Sequence, residues 1–318
     1  MISVVIPVKD EAGNLQQLQQ ELSTVAAEHG LEMEVIFVDD GSRDATWDTI
    51  RGLQAADGRV RGIRFRRNFG KAAALTAGFR RARGDIVFTM DGDLQDDPRE
   101  MPRFLSKLRE GFDLVSGWKR RRRDPWHKVL ASRVWNEMVS LATGVRLHDH
   151  NCGFKCYRRE VLNEIDLRGD LYRYVPVLAA ARGFRVTEVE VNHRPREHGV
   201  SKYGAKRFLR GFVDLMAVVF LTTAGQRPAH VLGGCGLTAV GVGGLALLVW
   251  AALALCGAGP AVRVVLGWAG GFLCAVGVNL VGLGLLAELA RSLAGASGEP
   301  YSVIEVVGDV DTSTFADE

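Results

Sequence analysis

Two stretches without a single charged residue, 231–256 and 264–287, set the strongest limit on how this chain folds. Each exceeds the roughly 20 apolar residues that a helix needs to cross a bilayer. The short connection 257–263 contains Pro260, so the pair reads as a hairpin that returns the C-terminal tail to its starting side. A buried hairpin in a soluble protein is the competing reading, and two adjacent charge-free runs of this length weigh against it. Gly267 and Gly271, one turn apart, would allow close helix approach within the hairpin or in a homo-oligomer.

Charge orients the hairpin. Lys206, Arg207, Arg210 and Arg227 precede the first run, against Arg263 alone in the connection. The positive-inside rule then places the preceding domain in the cytosol, with both termini on that side. Five cysteines, an odd number without framework spacing, agree with a reducing compartment. Met1 leads directly into the apolar stretch 2–7, without the basic and small-residue flanks of a signal peptide. Ahead of the first run, Phe208, Phe212, Leu215 and Val219 recur at helical spacing with basic residues among them. This predicts a helix in the membrane interface, in contact with membrane lipids, or one packed on the preceding domain.

Through the first 190 or so residues, short β-rich runs alternate with amphipathic segments, the pattern of a mostly parallel sheet with helices on both faces. Strands are expected at 2–8, 34–38, 60–65, 86–90, 114–116 and 186–191, and the clearest helices at 14–28 and 98–109. The chain divides into an α/β domain over 1–203, an amphipathic juxtamembrane helix over 204–228, a transmembrane hairpin over 229–291 and a tail over 292–318.

The densest chemical signal is Asp91-Gly92-Asp93-Leu94-Gln95, directly after the apolar strand 86–90. That is the carboxyl end of a central strand, where open α/β sheets bind ligands. Two carboxylates one residue apart can present oxygens to one hard cation, Mg2+ or Mn2+, whose other positions go to substrate phosphates and water. Asp39 and Asp40 end a second strand, where either carboxylate can accept hydrogen bonds from a base or ribose, while Asp44 can cap the next helix. Pro7-Val8-Lys9-Asp10-Glu11 ends the first strand and would place Glu11 beside the same crevice. A glycine-rich turn opening a helix is missing there, which argues against a dinucleotide-binding oxidoreductase.

Two other clusters invite different readings. Lys119 to Arg123 is a five-residue basic run suited to anionic headgroups or phosphorylated substrates. No aromatic-interleaved platform accompanies it, so nucleic acid is not the expected partner. His148, His150, Cys152 and Cys156 are all zinc-ligand types, but their spacing is not that of a standard structural site.

Taken together, the segments at Pro7–Glu11, Val38–Ser42, Arg67–Lys71 and Asp91–Gln95 resemble the successive motifs of glycosyltransferase family 2, which has the GT-A fold. Asp149 with Cys152, Gly153 and Phe154, then Arg196 with Gly199, Ser201, Lys202 and Tyr203, is similar to later motifs of polyprenyl-phosphate glycosyltransferases. The resemblance spans residues 2–225, and the two C-terminal runs match the bacterial branch. It implies inverting transfer of a hexose from a UDP- or GDP-linked sugar to a polyprenyl phosphate at the cytoplasmic membrane face. By the same resemblance Pro7, Val8, Glu11 and Asp40 line the nucleoside pocket, Lys71 lies near the diphosphate, and Asp91, Asp93 and Gln95 surround the metal. Asp149 falls in the acceptor loop, and Arg196 and Lys202 in a mobile loop over the phosphates. Cys152 stands where Ser is more usual and Lys155 where Arg is common.

A phosphate monoester, with a second pKa of about 6, is already largely ionised at neutral pH and needs little help from a base. The expected role of Asp149 is to orient the acceptor or take a residual proton, while Arg133, Arg196 and Lys202 offset the repulsion between two phosphate-bearing substrates. A processive polysaccharide synthase would share the donor motifs but carry a Gln-x-x-Arg-Trp acceptor motif; here Gln226 is followed at once by Arg227, with no Trp. An idle sugar-nucleotide-binding scaffold is the reading from another class, and the intact acidic cluster speaks against it.

Overall fold

Alternation along the first strand decides how the α/β part of the chain is layered. The computed structural model describes residues 1–120, 126–165, 167, 171–192, 194, 214–220, 228–256, 260–293 and 303–307. In β1 (Ile2–Val8), Ile2, Val4, Ile6 and Val8 join one apolar cluster, while Val5 joins another on the opposite face. The first cluster takes Leu15, Leu18, Leu22 and Val25 from α1 (Leu15–His29), at helical spacing, with Phe104 and Leu108 from α4 (Met101–Arg109). The second takes Ala74 and Ala77 from α3 (Lys71–Arg81) and Val175 and Ala179 from α7 (Val175–Ala181). Each fully buried Leu or Val stabilises this three-layer arrangement by about 1.5–3 kcal/mol.

The remaining elements of this unit are β2 (Met33–Asp39), α2 (Thr46–Ala56), β3 (Val60–Phe65), β4 (Ile86–Thr89), β5 (Leu114–Trp118), α5 (Trp126–Thr143), β6 (Lys155–Arg158), α6 (Arg159–Glu164), β7 (Val186–Glu190) and β8 (Val303–Val307). They form one eight-stranded sheet in the order β7-β5-β6-β4-β1-β2-β3-β8. Pairing is parallel within β3-β2-β1-β4 and between β5 and β7. β6 runs antiparallel to both β4 and β5, and β8 antiparallel to β3. The sheet is therefore mixed, with the expected parallel order kept at its centre. Neither β6 nor β8 was expected from the sequence. The tail is thus grouped with the first unit, as Met1–Val218 plus Glu299–Glu318.

The second unit, Val219–Gly298, holds two long helices, Pro228–Leu255 and Pro260–Leu293. Only 6 % and 11 % of their most apolar windows are buried, so these are not core helices of a soluble fold and their surfaces suit lipid. They meet through glycines. A Cβ on Gly236 would lie 2.6 Å from the Gly277 carbonyl oxygen, and one on Gly243 2.7 Å from that of Gly270. Of the expected pair, Gly267 also packs on the other helix, its Cβ position 3.2 Å from Trp250 Nε1, whereas Gly271 has nothing within 4 Å. An all-apolar helix carries no periodic mark of its packed side, so the sequence could not choose among its glycines.

Of the expected interfacial helix, residues 214–219 are helical, with Leu215 and Val218 buried and Met216 exposed. Lys206, Arg207, Phe208, Arg210, Phe212 and Arg227 lie outside the described residues, as do Arg121 to Arg123.

Candidate active site

The carboxyl ends of β1, β2 and β4 converge on a cleft of about 230 Å3 lined by Pro7, Val8, Lys9, Glu11, Asp40, Lys71, Asp91, Gly92 and Asp93. The chain is bent to make it. Asp10 and Leu94, the two described non-glycine residues with positive φ (56° and 61°), both sit in these loops. Asp10 is held by its amide donating to Ser42 Oγ at 2.9 Å, while its carboxylate accepts the Arg43 N–H at 2.9 Å. Gly41, at φ 69°, has its Cβ position 2.6 Å from the Arg67 carbonyl carbon, so only glycine lets the β2 turn lie against the loop before α3.

Adjacent residues on a strand face opposite ways, and this separates the two β2 aspartates. Asp40 lines the cleft and accepts the Phe69 N–H at 2.7 Å and the Gly70 N–H at 3.1 Å. Burial pushes its carboxyl above the usual range, against those amides. Asp39 is fully buried; it accepts the Ser42 N–H at 2.8 Å, stands 3.8 Å from Arg64 Nε, and does not line the cleft. Asp44, expected as a helix cap, accepts the Thr46 N–H at 3.0 Å and reaches across to the Ala12 N–H at 3.3 Å.

Asp91 and Asp93 both face the cleft. Lys71, the first residue of α3, makes an ion pair with Asp91. Burial works to raise the Asp91 pKa, but Lys71, Lys119 and Lys155 together hold it below the usual carboxylate range. Asp93 accepts the Gln95 N–H at 3.2 Å, whereas the Gln95 side chain turns to the Arg194 carbonyl at 3.5 Å and does not line the cleft. Among the described residues no three His, Cys, Asp or Glu side chains converge. Two carboxylates, with a lysine ammonium standing where a cation would, fit a hard divalent ion completed by substrate oxygens. They do not fit zinc. Cys152, whose thiol burial pushes up to about 12, and buried Cys156 are also ill suited to ligate it as thiolates.

A second, larger cavity of about 680 Å3 lies between the carboxyl end of β5, the helix α5 and the loop before β6. Asp149 and Arg133, both expected on the acceptor side, line it together with Lys119, Arg120 and Arg146. On its rim His148 stacks on Trp118, ring centres 4.1 Å apart, and His148 is held by Glu188 through both its ring and its backbone N–H. Arg196 and Lys202 lie outside the described residues.

The two cavities share a wall. Lys119 pairs with the buried Asp96 at 2.9 Å, and Asp96 accepts the Asp91 N–H at 3.3 Å. Burial would lower the Lys119 pKa, but Asp96 above all raises it. Lys155, 3 % exposed, donates to the Cys152 carbonyl, and burial lowers its pKa. Gly153 passes against Asp91, with its Cβ position 2.6 Å from Oδ2. Asp96 received no role from the sequence, because its contacts join segments far apart in the chain; Lys119 entered only as part of the basic run and Gly153 only as part of a motif. The acidic run continuing from Gln95 into Asp96 was the one available hint.

His150, 1 % exposed, sits beside Asp149 with Nε2 3.1 Å from Ser140 Oγ. Burial, reinforced by Lys155, pushes its pKa down to about 4. An unfolded-chain imidazole titrates near ~6.5, so below that pH the unfolded state binds a proton that the folded state refuses. Stability should therefore fall as the pH drops from ~6.5 towards 4, by about 3 kcal/mol in total. Urea unfolding at about pH 7 and about pH 4.5 measures it: His150→Gln should lose roughly 2–3 kcal/mol less than the parent over that interval. An equal loss in both proteins would assign the acid sensitivity elsewhere.

Comparison with known proteins adds to this geometry. Residues 3–166 match the profile described as Glycosyl transferase family 2. A dodecaprenyl-phosphate galacturonate synthase of Rhizobium johnstonii is 38 % identical over 78 % of this chain and 74 % of its own. An undecaprenyl-phosphate 4-deoxy-4-formamido-L-arabinose transferase of Aeromonas hydrophila is 34 % identical over 98 % of this chain and 95 % of its own. A crystal structure of glucosyl-3-phosphoglycerate synthase from Mycobacterium tuberculosis superposes with a TM-score of 0.54 at 20 % identity, over 70 % of this chain and 78 % of that one. At that identity the likeness speaks for the GT-A fold alone.

Proposed function

Because the chain belongs to glycosyl transferase family 2, we propose that this enzyme moves a hexose or related sugar from a UDP- or GDP-linked donor to a polyprenyl phosphate, with inversion, at the cytoplasmic face of a membrane. One observation carries the reading beyond the family: a carboxylate-bearing cleft and a basic cavity are linked through Asp91, Asp96 and Lys119, so two phosphate-bearing substrates can meet at a common wall. Relatives that match over most of their length are named for dodecaprenyl- and undecaprenyl-phosphate products or acceptors, which supports the lipid phosphate.

In this reading Pro7, Val8, Glu11 and Asp40 hold the nucleoside, and Lys71 holds the diphosphate. A Mg2+ or Mn2+ ion bound by Asp91 and Asp93 supplies charge neutralisation to the departing diphosphate. Arg133, with Arg146 and Arg120, draws the acceptor phosphate into the larger cavity, and Arg196 and Lys202, which match the family's phosphate-binding positions, offset its charge. Asp149 orients that phosphate. One of its oxygens attacks the anomeric carbon as the bond to the donor phosphate breaks, so the nucleoside diphosphate leaves with the bonding pair. The second unit anchors the enzyme in the bilayer, and the strand supplied by the tail supports a hairpin that leaves and returns on the catalytic side.

The test uses full-length protein in detergent with undecaprenyl phosphate and labelled UDP-glucose, UDP-galacturonic acid or GDP-mannose. Label should enter the organic phase from one donor, vanish with EDTA and return with Mg2+ or Mn2+. Metal-dependent binding of UDP or GDP without any lipid labelling across the panel and further nucleotide sugars would overturn the lipid-phosphate acceptor.

A further inference from the structure

We propose that Asn136, on α5, is a positioning residue that sets Asp149 towards the acceptor cavity, an inference that rests on the acceptor role given to Asp149 above. Asn136 is 4 % exposed, and its amide brackets Asp149 in the chain. Nδ2 donates to the His148 carbonyl at 2.9 Å, and Oδ1 accepts the His150 N–H at 3.3 Å. One side chain therefore fixes the peptide groups on either side of the aspartate. Ser140, one helical turn on and on the same face, stands 3.1 Å from His150 Nε2, and its Oγ also donates to the Leu147 carbonyl at 3.4 Å.

The residue type matters. Of side chains this short, only an amide carries a donor and an acceptor side by side; a carboxylate only accepts. Asn is also a poorer helix former than Ala by roughly 0.5 kcal/mol, so its place inside α5 needs a compensating contact, which the two loop hydrogen bonds provide. The loop is held from its far side as well, by Thr89 Oγ1 donating to the Gly153 carbonyl at 2.8 Å and the Gly117 N–H donating to the Phe154 carbonyl at 2.8 Å. Those contacts fix residues 153 and 154. Asn136 fixes the residues that carry the Asp149 carboxylate, itself 1 % exposed at the cavity wall.

A double-mutant cycle tests this in the full-length protein, with undecaprenyl phosphate and whichever sugar nucleotide the panel selects. Asn136→Ala should lower kcat about tenfold and raise the acceptor KM, with donor KM and calorimetric UDP or GDP affinity unchanged. Asn136→Asp should behave alike, since it cannot donate to the His148 carbonyl. Asp149→Asn should cost about thirtyfold, and adding Asn136→Ala to it should cost nothing further, because the amide acts through that carboxylate. Losses that multiply, or a full kcat in Asn136→Ala, would overturn the positioning role alone. Full turnover by Asp149→Asn would remove the acceptor role of Asp149 as well. If Asn136→Ala no longer binds nucleotide, Ser140→Ala enters the same cycle, with the same two outcomes deciding.

Discussion

Replacing Gly153 with alanine is expected to cut sugar transfer about a hundredfold while leaving the protein folded. The added methyl would stand 2.6 Å from Asp91 Oδ2 and 2.9 Å from its Cγ, distances no real contact sustains. Gly153 is not among the glycines with positive φ, so alanine accepts the backbone, and the conflict falls on the Asp91 carboxylate. Moving a carboxylate costs the fold little, because it is the free end of a side chain. It costs the reaction much more, because a displacement of about 1 Å at a reacting centre is worth about two orders of magnitude. Transfer assays, with thermal unfolding as the control, separate the two. A Gly153→Ala protein with parental turnover would mean that the position of Asp91 does not limit the reaction.

Glu34→Ala is expected to act on the opposite end of the sheet and in the opposite sense, lowering stability by about 3–5 kcal/mol and sparing nucleotide affinity. Glu34, Ser3 and Arg61 are all buried near the amino ends of β2, β1 and β3. The Glu34 carboxylate accepts Ser3 Oγ–H at 2.5 Å, the Arg83 N–H at 2.6 Å and Arg61 Nη1–H at 2.7 Å. Removing it strands a guanidinium in the interior with the Arg81 carbonyl, 2.8 Å from Nη1, as its remaining hydrogen-bond partner. For a domain of this size the loss corresponds to a melting temperature lower by about 10 °C. Urea unfolding checks it, and a change below about 1 kcal/mol would show that water or rearrangement replaces the carboxylate.

Local pattern and long-range contact divided the information in this chain. Strands β1 to β5 and β7 were legible as short apolar runs, and the motifs at the ends of β1, β2 and β4 do meet in one cleft. β6 was hidden because Lys155–Arg158 is four residues long and has a cation at each end. β8 was hidden because an isolated apolar stretch in a short tail has no partner in sequence. Within the site, the motif could not say which of Asp39 and Asp40 faces the cleft; the strand register decides that, and it favours Asp40. Gln95 belongs to the motif yet turns to Arg194, while Asn136, from a helix with no motif, grips the loop around Asp149. Such contacts depend on which helix lies over which loop, and no periodicity encodes that.

The last strand also sets an order of events during synthesis. β8 pairs Val306 with Ile63 and Glu305 with Arg64, so the edge of β3 is covered only after both long apolar helices have left the ribosome. At roughly 5–20 residues per second, that edge stays open for tens of seconds, with unpaired backbone groups that other strands can add to. Completion of the catalytic sheet is thereby made to wait for the two apolar helices: a chain stalled before or within them keeps an open flank on β3.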